Sequence, residues 1–133
     1  MPDEYVLDSS IIAAIFFPEE ASSRAVRAVQ DRELITVDLA MTEVANVAWK
    51  RVTLFDEEEK LIKEALKKSV EFINTACHVL EARYLLEISF EIALREKITV
   101  YDALFLAATE TEGVPLLTLD KRLEKTAGTV ELL

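Results

Sequence analysis

The sequence predicts an α/β fold in which a short parallel sheet of about four or five strands is flanked by helices. Residues 5–7 form an apolar run that ends in a carboxylate, and the apolar residues of 11–17 then recur at helical spacing. Residues 34–37 and 116–119 are short apolar runs that each follow a helical stretch. Because helices separate these strands, the strands are expected to run parallel.

Helical periodicity accounts for most of the remaining chain. The apolar spacing predicts helices over residues 19–32, 38–55, 56–73, 81–97 and 99–108, then a brief helix from residue 121 that Gly128 ends, and a last strand over residues 129–132. Asp56 with Glu59, and Thr99 with Asp102, match the capping-box pattern. Asp56 and Thr99 are therefore predicted to be helix N-caps.

Length and composition indicate a single domain over residues 1–133. The chain is 51% apolar, which is enough to build a core without disulfides or metal. The lone Cys77 cannot form an internal disulfide, and no signal-peptide pattern opens the chain, so a cytoplasmic location is expected. No apolar run approaches the roughly 20 residues that span a bilayer, so no membrane association is expected. With one cysteine and one histidine, a thiolate or imidazole metal site lacks ligands, and His78 is predicted at a helix end or in a loop.

The formal net charge of −10 argues against a protein that holds nucleic acid mainly through a basic surface. A polyanionic substrate would have to be met locally. Divalent cations bound by clustered acids could supply the positive charge, and so could another chain.

Four carboxylates occupy positions that a parallel sheet brings to one edge. Asp8 and Asp120 follow predicted strands, and Glu43 and Asp102 lie near the starts of predicted helices. Ligands of open α/β sheets bind beyond the carboxyl ends of the strands, so these acids are candidates for chemistry. The alternative for Asp8 and Asp120 is that each only caps the helix that follows it.

The surroundings of Asp102 favour a bound cation. Residues 103–108 are apolar on every side, which predicts that the first turn of their helix is deeply buried. The helix dipole offsets about 0.3–1 kcal/mol of the resulting desolvation, and up to about 2 kcal/mol in a partly buried site. An unpaired buried ion costs several kcal/mol, so Asp102 is expected to need a cation. Four carboxylates in one pocket would repel one another unless a cation intervened. Hard oxygen ligands suit Mg²⁺ or Mn²⁺, and the chemistry that follows is metal-assisted phosphodiester hydrolysis.

Four short motifs in this order resemble those of PIN-domain proteins, in particular the VapC-type toxin ribonucleases of prokaryotic toxin–antitoxin pairs. The motifs are residues 6–10 (Val-Leu-Asp-Ser-Ser), 42–46 (Thr-Glu-Val-Ala-Asn), 101–107 (Tyr-Asp-Ala-Leu-Phe-Leu-Ala) and 117–123 (Leu-Thr-Leu-Asp-Lys-Arg-Leu). The likeness covers nearly the whole chain. It implies a three-layer PIN-like fold and a metal-dependent endoribonuclease that cleaves RNA.

Carried over by position, the resemblance implies that one or two Mg²⁺ or Mn²⁺ ions are bound by four catalytic acids. These are Asp8, Glu43, Asp102 and Asp120. It also implies supporting hydroxyls from Ser10 and Thr118. Asn46 lies one turn after Glu43, in a polar stripe that either faces solvent or points into the site. The family resemblance further implies a homodimer, and a cognate antitoxin that inserts a segment, commonly with an arginine, towards the acids.

Residues 84–94 carry more apolar side chains than one helix face needs, which indicates either a crowded core or a partner surface. Residues 11–17 are a second candidate for that surface. A non-catalytic interaction module, with the acids as helix caps, is the alternative to the nuclease. A haloacid-dehalogenase-type phosphatase expects a second aspartate where Ser10 stands. A receiver-type phosphoacceptor domain also fits poorly, since it expects a pair of acids beside the first strand and a phosphorylated aspartate at the end of the third.

Overall fold

The computed structural model describes residues 2–133, which fold around a five-stranded parallel sheet. The strands are β1 (Glu4–Leu7), β2 (Glu33–Val37), β3 (Cys77–Leu80), β4 (Leu116–Thr118) and β5 (Val130–Leu132). The helices are α1 (Ser9–Phe16), α2 (Ser22–Val29), α3 (Leu39–Thr53), α4 (Glu59–Ala76), α5 (Leu86–Glu96), α6 (Val100–Glu112) and α7 (Lys121–Glu124). The predicted α/β class, with helices flanking a short parallel sheet, is confirmed.

The sheet order β3-β2-β1-β4-β5 places β1 at the centre. All four pairings are parallel, and Leu7 of β1 lies beside Leu117 of β4. Tyr5, Val6 and Leu7 are almost fully buried, as expected for a strand covered on both faces. The carboxyl ends of β1 and β4 therefore lie side by side at one edge.

The sequence reading missed β3, and the prediction that His78 lies at a helix end or in a loop is wrong. His78 is in this edge strand, where it pairs with Ile35 of β2. Helix α4 ends at Ala76 and β3 begins at Cys77, with no glycine or proline between them. A four-residue, half-exposed edge strand leaves no clear alternation of polar and apolar residues, so periodicity could not separate it from the helix.

Three of the four predicted caps are present, those of Asp8, Thr99 and Asp120, and one is not. Asp8 caps α1, and the Thr99 hydroxyl caps α6 by accepting from the Asp102 backbone N–H at 3.2 Å. The prediction that Asp56 caps the next helix is wrong. Asp56 adopts a left-handed backbone conformation (φ 53°), and α4 begins after Glu58 with no side-chain cap.

Helix α6 runs through the core but enters it later than expected. Residues 103–109 are buried, as their apolar pattern predicts. The prediction that the first turn is deeply buried is wrong, because Tyr101 is exposed and Asp102 is partly exposed. Gly113 ends the helix in a left-handed conformation (φ 66°) that glycine adopts without strain.

The two apolar stretches proposed as partner surfaces behave differently. Residues 11–17 are mostly core: Ile11, Ile12 and Phe17 are fully buried, and only Ile15 and Phe16 are partly exposed, so this stretch offers little apolar surface to a partner. Around α5, by contrast, Tyr84, Leu86, Ile88, Phe90 and Leu94 are exposed. We call these five side chains the α5 face. No helix among residues 2–133 has the length and apolarity to cross a membrane.

Candidate active site

Asp8 stands where β1 ends and α1 begins, and its side chain is almost completely buried. Its Oδ1 accepts hydrogen bonds from the backbone N–H groups of Ser10 (3.1 Å) and Ile11 (3.4 Å), and from the Ser10 hydroxyl. Its Oδ2 accepts from the Thr118 hydroxyl. Burial raises the pKa of Asp8, although these hydrogen bonds oppose the shift. The two interpretations of Asp8 are therefore compatible: it caps α1 and also lies at the carboxyl edge of the sheet.

Two hydroxyls join the ends of β1 and β4. The Ser10 hydroxyl donates to Asp8 and accepts from the Leu119 backbone N–H at 3.1 Å. The Thr118 hydroxyl likewise donates to Asp8 and accepts from the Asp120 backbone N–H at 3.0 Å. Of the three side chains predicted to support the site, Ser10 and Thr118 therefore contact Asp8, and they connect the backbone at residues 119–120 to it.

Glu43 reaches the same edge from α3. The Ser9 hydroxyl donates to its Oε1 at 3.0 Å. Burial raises the pKa of Glu43, and the negative charges of Asp102 and Asp8 raise it further. Of the two alternatives for Asn46, the structure favours the solvent-facing one. Asn46 is exposed, and within residues 2–133 no hydrogen bond links it to Glu43.

Asp102 and Asp120 form the outer half of the site and share one arginine. The Arg122 guanidinium donates to both carboxylate oxygens of Asp120, at 2.6–3.2 Å, and to Asp102 Oδ2 at 3.4 Å. The Asp120 carboxylate also caps the short α7 by accepting from the Arg122 backbone N–H. Arg122 lowers the pKa of Asp120, whereas burial raises that of Asp102.

The four acids converge at one edge without forming a closed chelate. Among residues 2–133, no three Asp, Glu, His or Cys side chains stand close enough together to hold a metal ion. The expectation of one tightly shared pocket is wrong in this respect. The reason is visible in the hydrogen bonds: neutral donors hold Asp8, and Arg122 draws the carboxylates of Asp102 and Asp120 towards itself.

The donor chemistry nevertheless fits a hard divalent cation. The acids offer only oxygen atoms, which Mg²⁺ and Mn²⁺ prefer. The Asp102 and Asp8 charges raise the pKa of Glu43, and the Asp120 charge contributes to the raised pKa of Asp102. Such repulsion is what a bound cation relieves. The carboxylates of Asp102 and Asp120 would have to turn from Arg122 to bind it.

A fold of this topology, with acids gathered at the carboxyl edge of β1 and β4, is that of a PIN domain. The sequence matches the PIN domain family over residues 5–129, and the chain belongs to this family. Ribonuclease VapC3 of Pyrobaculum aerophilum is 45% identical over 121 residues, which cover 89% of this chain and 90% of that protein. Exonuclease VapC9 of the same organism is 28% identical over 134 residues, covering 99% of this chain and 92% of that protein.

Solved structures share the fold. PAE2754 from Pyrobaculum aerophilum superimposes with a TM-score of 0.73 at 26% identity, covering 96% of this chain and 82% of that one. A toxin–antitoxin complex from Klebsiella pneumoniae contains a chain with a TM-score of 0.67 at 17% identity, covering 96% of this chain and 95% of that one. The sequence-based identification of a PIN-domain protein of VapC type is confirmed.

Sequence reasoning missed two side chains of this edge, Ser9 and Arg122. Ser9 directly follows Asp8, but nothing in the sequence places it against Glu43, 34 residues away. Arg122 lies within the fourth motif, two residues after Asp120. That spacing was the available signal, because a side chain at position i+2 from a helix N-cap can reach back to the cap.

Proposed function

We propose that the protein is a metal-dependent endoribonuclease and the toxin of a toxin–antitoxin pair. The observation that carries the proposal is the convergence of Asp8, Glu43, Asp102 and Asp120, from four separate segments, at the carboxyl edge of the sheet. The 45% identity to a ribonuclease over nine-tenths of both chains supports it. The name of the second relative, an exonuclease, makes the internal or terminal position of cleavage a matter for experiment.

In this proposal the four acids are the catalytic residues, and they bind Mg²⁺ or Mn²⁺. Asp8 is the fixed member, because its capping and hydroxyl contacts determine its orientation. Glu43 offers Oε2, which accepts no hydrogen bond within residues 2–133. Asp102 and Asp120 complete the set from the outer side. A bound divalent cation would supply charge neutralisation at the phosphodiester and activation of the attacking water.

Three hydroxyl side chains position the catalytic acids, and Asn46 has a separate role. Ser10 and Thr118 hold the Asp8 carboxylate in place and connect it to the backbone before Asp120. Ser9 orients Glu43 through its Oε1. Asn46 is exposed one turn further along α3, where it would contact RNA rather than Glu43.

Replacement of single acids tests the proposal. Asp8→Asn and Asp102→Asn should each lower the rate of RNA cleavage in Mg²⁺ by about a hundredfold or more, since losing even an outer partner of a metal ligand typically costs 10–100-fold. Asp102→Asn should unfold at a temperature equal to or above that of the unchanged protein, because a carboxylate with a raised pKa is replaced by a neutral amide. Asp8→Asn also loses the oxygen that accepts from the Thr118 hydroxyl, so its unfolding temperature should fall while the variant stays folded. Cleavage is measured on an end-labelled single-stranded RNA, whose product lengths also separate internal from terminal cutting.

Asp31→Asn is the matched control, because Asp31 lies in the loop before β2, at the opposite edge of the sheet, and its left-handed backbone (φ 59°) tolerates asparagine. Unchanged cleavage by both Asp8→Asn and Asp102→Asn would refute the nuclease. The alternative, a non-catalytic interaction module, draws on the capping by Asp8 and Asp120. That alternative predicts no Mn²⁺ binding in calorimetry that depends on Asp8 and Asp102.

The α5 face is the surface we assign to protein partners, a second copy of the chain or an antitoxin. Its five apolar side chains are exposed on α5 and the turn before it, and Leu86, Phe90 and Leu94 recur at four-residue spacing along one side of the helix. Exposed apolar side chains grouped in this way are typical of interaction surfaces. Phe90→Asp should leave the fold intact, because Phe90 is 57% exposed. It should also halve the mass measured by light scattering for the isolated chain.

Val26→Asp on α2 is the control, a partly exposed apolar residue outside the α5 face. If the unchanged protein is already monomeric, the homodimer is excluded and the surface remains for the antitoxin. In that case Phe90→Asp should prevent co-purification with a co-expressed antitoxin, and undiminished co-purification would contradict the assignment.

A further inference from the structure

Arg122 holds two of the candidate acids at once. Its Nη2 lies 2.6 Å from Asp120 Oδ2 and 3.4 Å from Asp102 Oδ2, and its Nε lies 3.1–3.2 Å from both oxygens of Asp120. One guanidinium therefore bridges a carboxylate on α6 and a carboxylate at the end of β4. No other lysine or arginine of residues 2–133 forms an ion pair with Asp8, Glu43, Asp102 or Asp120.

We propose that Arg122 is a displaceable counter-ion of the acidic site, which pairs with Asp102 and Asp120 in the cation-free protein and leaves when a divalent cation binds them. This inference rests on the proposed function, in which these carboxylates bind metal. It adds a regulation of the site by the chain itself, because the affinity for the metal then depends on how firmly Arg122 is held.

Competition follows from the shared oxygen atoms. The guanidinium occupies both oxygens of Asp120 and one oxygen of Asp102, and a cation bound by these residues needs at least one oxygen from each. A guanidinium keeps its proton in proteins, so it cannot yield the oxygens by becoming neutral. It also repels a second positive charge. Arg122 therefore opposes a divalent cation at Asp102 and Asp120, and we expect it to move away when the cation binds.

The surroundings of Arg122 permit that movement. Its side chain is 71% exposed, and within the described part of the chain its guanidinium has no hydrogen-bond partner other than Asp102 and Asp120. The contrast with Asp8 is informative, because Ser10 and Thr118 are neutral donors inside the fold and do not oppose a cation by charge. Only the outer half of the site thus carries a built-in competitor.

Calorimetric titration with Mn²⁺ alone tests the inference. Arg122→Gln should bind Mn²⁺ about fivefold more tightly than the unchanged protein, the upper range for one exposed ion pair. Arg122→Lys, which keeps the charge but loses the two-pronged contact, should fall between them. Lys121→Gln is the matched control. It removes the same charge from the residue next to Arg122, and the Lys121 side chain forms no ion pair with the four acids. Circular dichroism checks that each variant is folded.

A second measurement follows the guanidinium directly. The Nε–H signal of Arg122 in a nitrogen–proton NMR spectrum should shift on saturation with Mg²⁺, and the signal is assigned by its absence in Arg122→Lys. An unchanged signal, an unchanged or weaker Mn²⁺ affinity in Arg122→Gln, or an equal gain in Lys121→Gln would each overturn the role of Arg122 while leaving the metal site intact. Absence of Mn²⁺ binding in every protein tested would instead overturn the proposed metal site, and this inference with it.

Discussion

Asp8 and Asp120 occupy equivalent places on neighbouring strands but in opposite electrostatic settings. Each follows a strand and caps the helix that comes after it, and the two strands, β1 and β4, are adjacent. Asp8 is only 6% exposed and accepts hydrogen bonds from neutral hydroxyl and amide groups. The Asp120 side chain is 26% exposed and pairs with a cation, Arg122. Burial therefore raises the pKa of Asp8, while Arg122 lowers that of Asp120.

The difference shows that the strand–acid–helix pattern determines where a carboxylate lies but not its charge environment. Strand β1 is central, and the eight-residue α1 covers its end. Strand β4 has only the short β5 on its outer side, and the four-residue α7 covers little of its end. The inner half of the site, Asp8 and Glu43, is consequently held by contacts within the fold, and the outer half by the exposed side chain of Arg122.

The largest effect that separates the two halves is expected from Thr118→Val. The change removes the donor to Asp8 Oδ2 in a fully buried position, and also the acceptor of the Asp120 N–H. Leaving a buried polar group without its partner costs about 1–3 kcal/mol, so the free energy of unfolding should fall by about 2 kcal/mol. Urea unfolding at pH 7 in the presence of EDTA measures it.

Thr109→Val is the matched control for this substitution. Thr109 is also buried, but its hydroxyl donates to the backbone carbonyl of Leu106 within α6. A neutral hydrogen bond of this kind contributes about 0.5–1.5 kcal/mol. Equal losses in the two variants would mean that Asp8 depends on Thr118 no more than a helix depends on one hydroxyl, and the comparison between the halves would fail.

A smaller effect is expected in the pH dependence of stability. The raised pKa values of Asp8, Glu43 and Asp102 mean that the folded protein retains protons that the unfolded chain has released. The free energy of unfolding of the metal-free protein should therefore decrease as the pH rises from about 4 through these raised pKa values. Asp120 acts in the opposite direction, because its pKa is lowered: its contribution is present above about pH 4 and is lost on acidification.

Asp8→Asn isolates the contribution of the inner half. It should remove up to one proton from the difference, and hence up to about 1.4 kcal/mol per pH unit from the slope. The measurement is the urea midpoint in EDTA at intervals between pH 4 and pH 8. A slope unaffected by Asp8→Asn would mean that Asp8 ionises as it does in the unfolded chain.

The fold was largely predictable because its central strands are strongly apolar and bounded by acids. Strands β1, β2 and β4 lie where the runs at residues 5–7, 34–37 and 116–119 place them. Strand β3 was not predicted, because a half-exposed edge strand that continues directly from a helix has no clear alternation of polar and apolar residues. The positions of Asp8 and Asp120 followed from the strands, and those of Glu43 and Asp102 from the helices.

The contacts that determine the chemistry of the site were less accessible to sequence reasoning. The need of Asp102 for a cation was anticipated from burial of the helix, whereas the structure provides Arg122 beside a partly exposed carboxylate. Apolar content alone also could not distinguish residues 11–17, which are mostly buried, from the α5 face, which is exposed. Both distinctions depend on which elements pack together across the sheet, and local spacing does not contain that information.

Strand β5 and the residue after it stabilise the positions of β1 and β4, whose ends hold the inner half of the site. The Leu133 N–H donates to the Thr118 carbonyl at 2.9 Å, and Glu131 accepts a hydrogen bond from the Tyr5 hydroxyl. The last residues thus fasten the two strands whose ends carry Thr118 and Asp8. Trimming the chain after Thr129 would loosen the Asp8 carboxylate, even though no trimmed residue touches it.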